Sequence, residues 1–438
     1  MFALRLACRR KCAVDLSRLS THLLLTTRQK ATAAATEASK TSRSLKSPVY
    51  GFSETKSTEK IEEETITINE LEDYYPVYIG EVIKSRYQIV AKQGYGVGST
   101  VWLCRDLIDN CHLTLKVCVR RTKQLSHELM VSEHLKKRNG SHHPGQKLVQ
   151  VVLDSFEIDG PHGQHFCLLY EPLGMKLTEL ITHMPNGMIP VDELQKVTQF
   201  VLIALDHIHR RDVIHTDICM NNVLQSIDDK SVFTRIEEDE FYRPIRYKKL
   251  HDRHIYYSRS PPVSTGPPIL CDFGGARLDG ANQEGDIMFR AYKPPEVILD
   301  MKWDHKVDIW GLGLMVWRMF EGVHLFPPRE SGTLDEEQHL AEMVSLLGPP
   351  PAEFLLRSPK CFKFWDEKGI WKGVIPLTNW SLEKKEKRLS GKDHDLFLNF
   401  MRRILCWLPE NRPAAADLVY DDFLMQAVLA SVAGIPRA

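Results

Sequence analysis

His215-Thr216-Asp217-Ile218-Cys219-Met220-Asn221-Asn222, with Asp272-Phe273-Gly274 beginning fifty residues after Asn222, is the stretch on which the reading of this chain turns. An Asp with an Asn five residues on places a carboxylate base near a hydroxyl and an amide oxygen near a metal. Asp272 supplies a second metal ligand. A loop Asp alone is most often solvated or capping a turn, so order and spacing carry the argument.

Upstream lies Gly94-Tyr95-Gly96-Val97-Gly98-Ser99-Thr100-Val101, between the strand-like runs Tyr87 to Ala91 and Val101 to Cys104. Glycines in a strand-turn-strand context let backbone N–H groups approach phosphate oxygens with no Cβ in the way. The usual pattern puts its third glycine at Ser99, and here Gly98 comes one residue early. Next, Leu113 to Val119 reads as an apolar strand carrying one lysine, Lys116, which needs an anion. Nucleotide phosphate is the first candidate, and a Glu on the following helix would hold the lysine. Glu128 is expected there, beside the helical face Leu125, Leu129, Ser132 and Leu135, with Glu133 as the alternative.

Later landmarks keep the same order. Phe166 to Gly174 is a buried strand entering a linker, where backbone groups of Glu171 and Leu173 face an adenine edge and Tyr170 guards the back of the pocket. Leu194, Val197, Val201, Leu205 and Ile208 mark an amphipathic helix ahead of the catalytic loop. Glu296 in Tyr292-Lys293-Pro294-Pro295-Glu296 is expected to pair with Arg412 in a bidentate contact. The stretch from Asp308 to Phe320 is apolar nearly all round, yet Asp308 and Arg318 interrupt it before a membrane-spanning length accumulates. Together these imply an α+β class, bilobal eukaryotic protein kinase fold, with a small, mostly β N-lobe over about 73–173 and a larger, mostly α C-lobe over about 174–426.

The composition suits a globular enzyme: 438 residues, 43% hydrophobic, 26% charged and zero formal net charge, which gives no global pull toward nucleic acid or membrane. Ten scattered cysteines without paired CxxC or Cys/His spacing read as reduced thiols, neither a zinc site nor a disulfide framework. Residues 1–50 carry ten Lys/Arg against only Asp15 and Glu37, which fits a mitochondrial transit peptide or a basic tail. Residues 51–72 read as a polar linker, with folded structure expected from Asp73, and 427–438 as a C-terminal tail. The excess between the two metal-binding motifs is an insertion, about 226–268, read either as a solvated connector or as a docking or regulatory spacer.

The chain resembles the SR-protein kinases. The resemblance rests on Asp73-Tyr74-Tyr75-Pro76-Val77-Tyr78-Ile79-Gly80, Arg86-Tyr87, Ser99 to Asp106, His215-Thr216-Asp217-Ile218 and the insertion, and spans roughly Asp73 to Leu424. It implies a monomeric serine/threonine kinase using ATP and Mg²⁺ on protein substrates of Arg-Ser-rich type. It also implies links to splicing factors, location in cytoplasm and nucleus, and neither direct nucleic-acid nor membrane binding. In that reading Asp217 is the base, Asn222 and Asp272 hold the metal, Lys116 with Glu128 positions phosphates, and Gly94, Tyr95, Gly96, Val97, Gly98, Ser99 and Val101 cover the nucleotide.

Three departures stand out. Cys219 occupies the place of a lysine that would contact the transferring phosphate, a loss on the order of 10²-fold in rate. Gln338 and Ser345 fall where acids of a docking groove are expected, although Asp335, Glu336 and Glu337 lie nearby. Phe273 stands where the family varies its middle residue. A nucleotide-binding pseudokinase scaffold is the alternative. Thr216 in place of arginine, and a segment from Leu278 to Phe289 without Ser, Thr or Tyr, predict activity without loop phosphorylation.

Overall fold

The computed structural model describes residues 53–55, 58–120, 124–137, 142–261, 263–264, 266–327 and 335–426. The transit-peptide reading of 1–50 and the tail at 427–438 lie outside these. Strands β1 (Val82–Ile83), β2 (Tyr87–Gly96), β3 (Ser99–Asp106), β4 (Cys111–Cys118), β5 (Asp154–Gly160) and β6 (Gly163–Tyr170) form one antiparallel sheet in the order β1-β2-β3-β4-β6-β5. The β2–β3 hairpin turns at Val97-Gly98, and Val101 faces Lys116 across β3 and β4. Helix α1 (Gln124–Lys136) follows β4.

Strand side chains alternate between sheet faces, and here both faces are covered. Tyr87, Ile89, Trp102, Leu115, Val117, Cys167 and Leu169 form one cluster, with Tyr256 of the insertion among them. Val90, Ala91 and Leu103 pack with Phe233 of the insertion on the other. The segment 226–268 is therefore a packed part of the fold and not a solvated connector. It carries a helix, Ser231–Tyr242, and an antiparallel pair, Tyr247–Lys249 with His254–Tyr256. It leaves the large lobe through Val223–Gln225 and returns through its partner strand Pro268–Leu270. Burying Phe233 contributes on the order of 2–3 kcal/mol.

The linker expected over 51–72 also needs correction, because Ile61 and Glu63 are buried. The Lys92 ammonium, with no exposed surface, binds Glu63, lies 3.4 Å from Glu62 and donates to the Tyr256 carbonyl at 3.0 Å. A buried lysine demands such compensation. The run Glu62-Glu63-Glu64 thus folds onto the small lobe and the insertion, and Lys248 pairs with Glu64 at 3.0 Å.

The large lobe is built round the helix Lys306–Glu321, thirteen of whose residues are buried. Gly311 lets the catalytic loop lie on it: an added Cβ would stand 3.3 Å from the Ile218 carbonyl oxygen. Among the described residues no helix is long and apolar enough to cross a membrane, and the eight cysteines are free thiols.

Candidate active site

Strand β4 delivers Lys116 and helix α1 delivers Glu128, and their side chains meet at 2.8 Å. Glu133 instead pairs with Lys136 on the surface. Asp272 comes within 3.4 Å of the same ammonium. Burial pulls the Lys116 pKa down, but the Asp272 and Glu128 carboxylates outweigh it and hold it above the ordinary lysine range. In return Lys116 keeps Asp272 ionised, below the usual carboxylate value. Tyr170, buried at the end of β6, donates its hydroxyl to Glu128. His127, which sequence reasoning did not single out, ties the same helix to the Ala276 carbonyl.

The catalytic loop is fixed from beneath. Asp308, fully buried, accepts the His215 N–H at 2.9 Å, the Thr216 N–H at 2.8 Å and the His209 ring at 2.8 Å. Its carboxyl is held below the ordinary range because these bonds outweigh burial. Thr216 and Asp272 both adopt left-handed φ, 68° and 65°, which the surrounding bonds must hold in place. His215 bonds the Cys271 carbonyl at 3.0 Å and packs edge-on against Phe273 at 4.9 Å. A Cβ at Gly274 would lie 3.3 Å from Asp272 Oδ1, a tight approach that a larger residue meets only if that carboxylate shifts. The signal for Asp308 is present in the sequence as an acid on a helix apolar nearly all round, but nothing local to it shows that the catalytic loop supplies its partners.

Asn222 Nδ2 donates to the Asp217 carboxylate at 2.7 Å and to its carbonyl at 2.8 Å. That leaves the Asn222 side-chain oxygen free of this bond. Burial raises Asp217 above its ordinary 3.8. No group of three or more His, Cys, Asp or Glu able to cage a metal occurs among the described residues. Magnesium suits such a site, because it takes one or two protein oxygens and completes its shell from phosphate and water.

At the hinge the Glu171 carbonyl accepts from Gln150 at 3.2 Å and keeps a second lone pair for a ligand donor, while Leu173 is half-buried. Ser99 and Val101 begin β3 behind the Val97-Gly98 turn. The segment from Leu278 to Phe289 and the turn before it are tied down by direct contacts. The Thr216 hydroxyl donates to the Gly275 carbonyl at 2.8 Å, and Gln283 and Trp303 exchange backbone bonds of 2.8 and 2.9 Å. Glu296 and Arg412 meet in the expected fork at 2.6 and 2.8 Å.

The family model described as protein kinase domain matches residues 87–424. The chain belongs to this family. A serine/threonine protein kinase of Aspergillus fumigatus is 38% identical over 377 residues, covering 84% of this chain and 92% of that protein. The serine/threonine-protein kinase SRPK of Physarum polycephalum is 34% identical, covering 78% and 87%. A solved kinase domain superposes with a TM-score of 0.62 at 22% identity, covering 80% of this chain and 99% of that one. The chain is accordingly a serine/threonine protein kinase of the SR-protein-kinase-like group, an ATP-dependent phosphotransferase acting on protein. The scaffold alternative finds no support among these relatives.

Proposed function

We propose that this kinase transfers the ATP γ-phosphoryl group to serine in Arg-Ser-rich protein segments. The observation that carries the catalytic part is the assembled pair of contacts, Lys116 to Glu128 at 2.8 Å and Asn222 to Asp217 at 2.7 Å, since catalysis of this kind is positioning plus electrostatics. Asp217 orients the serine hydroxyl and accepts its proton. Lys116, steadied by Glu128, binds the α/β-phosphates. The hinge carbonyl of Glu171 and the N–H of Leu173 bind the adenine edge, and Gly94 to Ser99 exclude water above the phosphates. Asn222 and Asp272 would hold Mg²⁺, which neutralises phosphate charge when bound.

The Arg-Ser part rests on likeness to relatives such as SRPK. The acids near the expected docking groove are already engaged: Asp335 caps the Gln338 N–H, Glu336 pairs with Lys360 at 2.9 Å, and Glu337 accepts the Ile375 N–H at 2.8 Å. Radiolabelled transfer from Mg-ATP to an Arg-Ser-repeat peptide and to a generic basic protein tests the proposal. Preference for the peptide is expected, and equal labelling would remove the substrate assignment.

Two further results are expected in that assay. Burial and Asp217 push the Cys219 thiol up to about 12, so it stays neutral where a cation would help. Cys219→Lys should raise kcat by up to about 10²-fold, and an unchanged rate would show that the missing charge is supplied elsewhere. Treatment with a phosphatase should leave activity intact, because the segment's contacts are direct, and a loss would reveal a phosphate requirement.

A further inference from the structure

The chain pins the tip of its own glycine-rich loop from outside. Tyr74, 3% exposed, donates its hydroxyl to the Gly96 carbonyl at 3.0 Å. Asn69 donates from Nδ2 to the Tyr74 oxygen at 3.0 Å and to the Val97 carbonyl. The Val119 N–H donates to the Gly98 carbonyl at 3.0 Å. A carbonyl and the next residue's N–H lie in one rigid plane. Holding the oxygens of residues 96, 97 and 98 therefore sets the direction of the N–H groups of Val97, Gly98 and Ser99. A Cβ placed on Gly94, Gly96 or Gly98 would meet nothing within 4 Å, so the chain itself does not fill the space beside the loop.

The segment that does the pinning is itself anchored. Arg253 of the insertion, 3% exposed, donates to the carbonyls of Leu71 and Tyr74, the latter at 3.0 Å. Asp73 binds Arg120 at 2.8 Å, and Glu63 binds the buried Lys92. A glycine-rich tip loses much conformational freedom when a ligand orders it, and a loop ordered beforehand loses less.

We propose that Asn69 and Tyr74 are positioning residues for ATP, acting through the backbone of the glycine-rich loop without touching the nucleotide. This rests on the reading of Gly94 to Ser99 as the cover of the phosphates. The two side chains lie outside every motif that names the loop, and they raise affinity for the phosphate portion of the nucleotide alone.

The test compares Mg-ATP and adenosine binding by calorimetry in the full chain, with steady-state kinetics, for wild type, Tyr74→Phe and Asn69→Ala. Each variant should raise the Kd and KM for ATP about 3- to 10-fold, the size of a lost neutral hydrogen bond or two. Adenosine affinity, kcat and peptide KM should stay within about twofold. A folded variant with wild-type ATP affinity overturns the proposal, as does equal weakening of ATP and adenosine, which marks a general loss of small-lobe packing. Wild type that binds ATP no better than adenosine overturns the phosphate-loop reading itself. Should Tyr74→Phe fail to fold, Asn69→Ala, at a half-buried site, decides alone.

Discussion

Asp217→Asn is expected to cut phosphate transfer by about 10²- to 10⁴-fold while leaving Mg-ATP binding and the melting midpoint close to wild type. The substitution keeps the shape of the side chain, and Asn222 can still reach an oxygen at that position, now 2.7 Å from its Nδ2. What it removes is the carboxylate that takes the serine proton. The same carboxylate predicts a pH profile. Burial raises Asp217 above its ordinary 3.8, so as pH falls it is protonated sooner than a solvated Asp. The acid limb of kcat/KM should therefore lie above that value in wild type. A limb at or below the ordinary value, or an active Asn variant, would take the base role away from Asp217.

Arg412→Met should be the most destabilising single change. Arg412 is 0% exposed and Glu296 1%, and the guanidinium also donates to the carbonyls of Cys406 and Lys306 and lies 4.9 Å from the Trp310 ring. Removing it leaves a buried carboxylate without a partner, which costs about 3–5 kcal/mol against a total stability of about 5–15 kcal/mol. The melting midpoint should fall by about 4–7 °C, read by calorimetry on the apoprotein. Replacing both partners with Glu296→Gln and Arg412→Met should recover part of the loss. A single variant that melts with wild type would mean the pair contributes nothing net.

Local spacing made much of the site legible. Asp217 and Asn222 are five residues apart, and Lys116 and Glu128 sit on adjacent elements, so their contacts follow from a strand, a helix and a turn. The segment from Ile61 to Glu72 was not legible for the opposite reason. Glu62-Glu63-Glu64 looks solvated because its cations are remote: Lys92 is 29 residues from Glu63, and Lys248 is 184 from Glu64. The insertion misled in a second way. Its helix buries Glu237 and Glu240 beside Phe233, and a helix that hides acids shows no clean apolar stripe. Only the fold supplies their partners, Arg105 and His112 for Glu237 and Arg259 for Glu240.

The buried Lys92 also sets a timetable for synthesis on the ribosome. Its acidic partners emerge before it, but Tyr256 follows it by 164 residues. At about 5–20 residues per second, some 8–30 seconds of translation separate the strand from the chain that covers it. For most of that interval the second face of the small sheet has no Phe233 to lie against, and the nascent small lobe waits, half-dressed, for a piece encoded inside the large one.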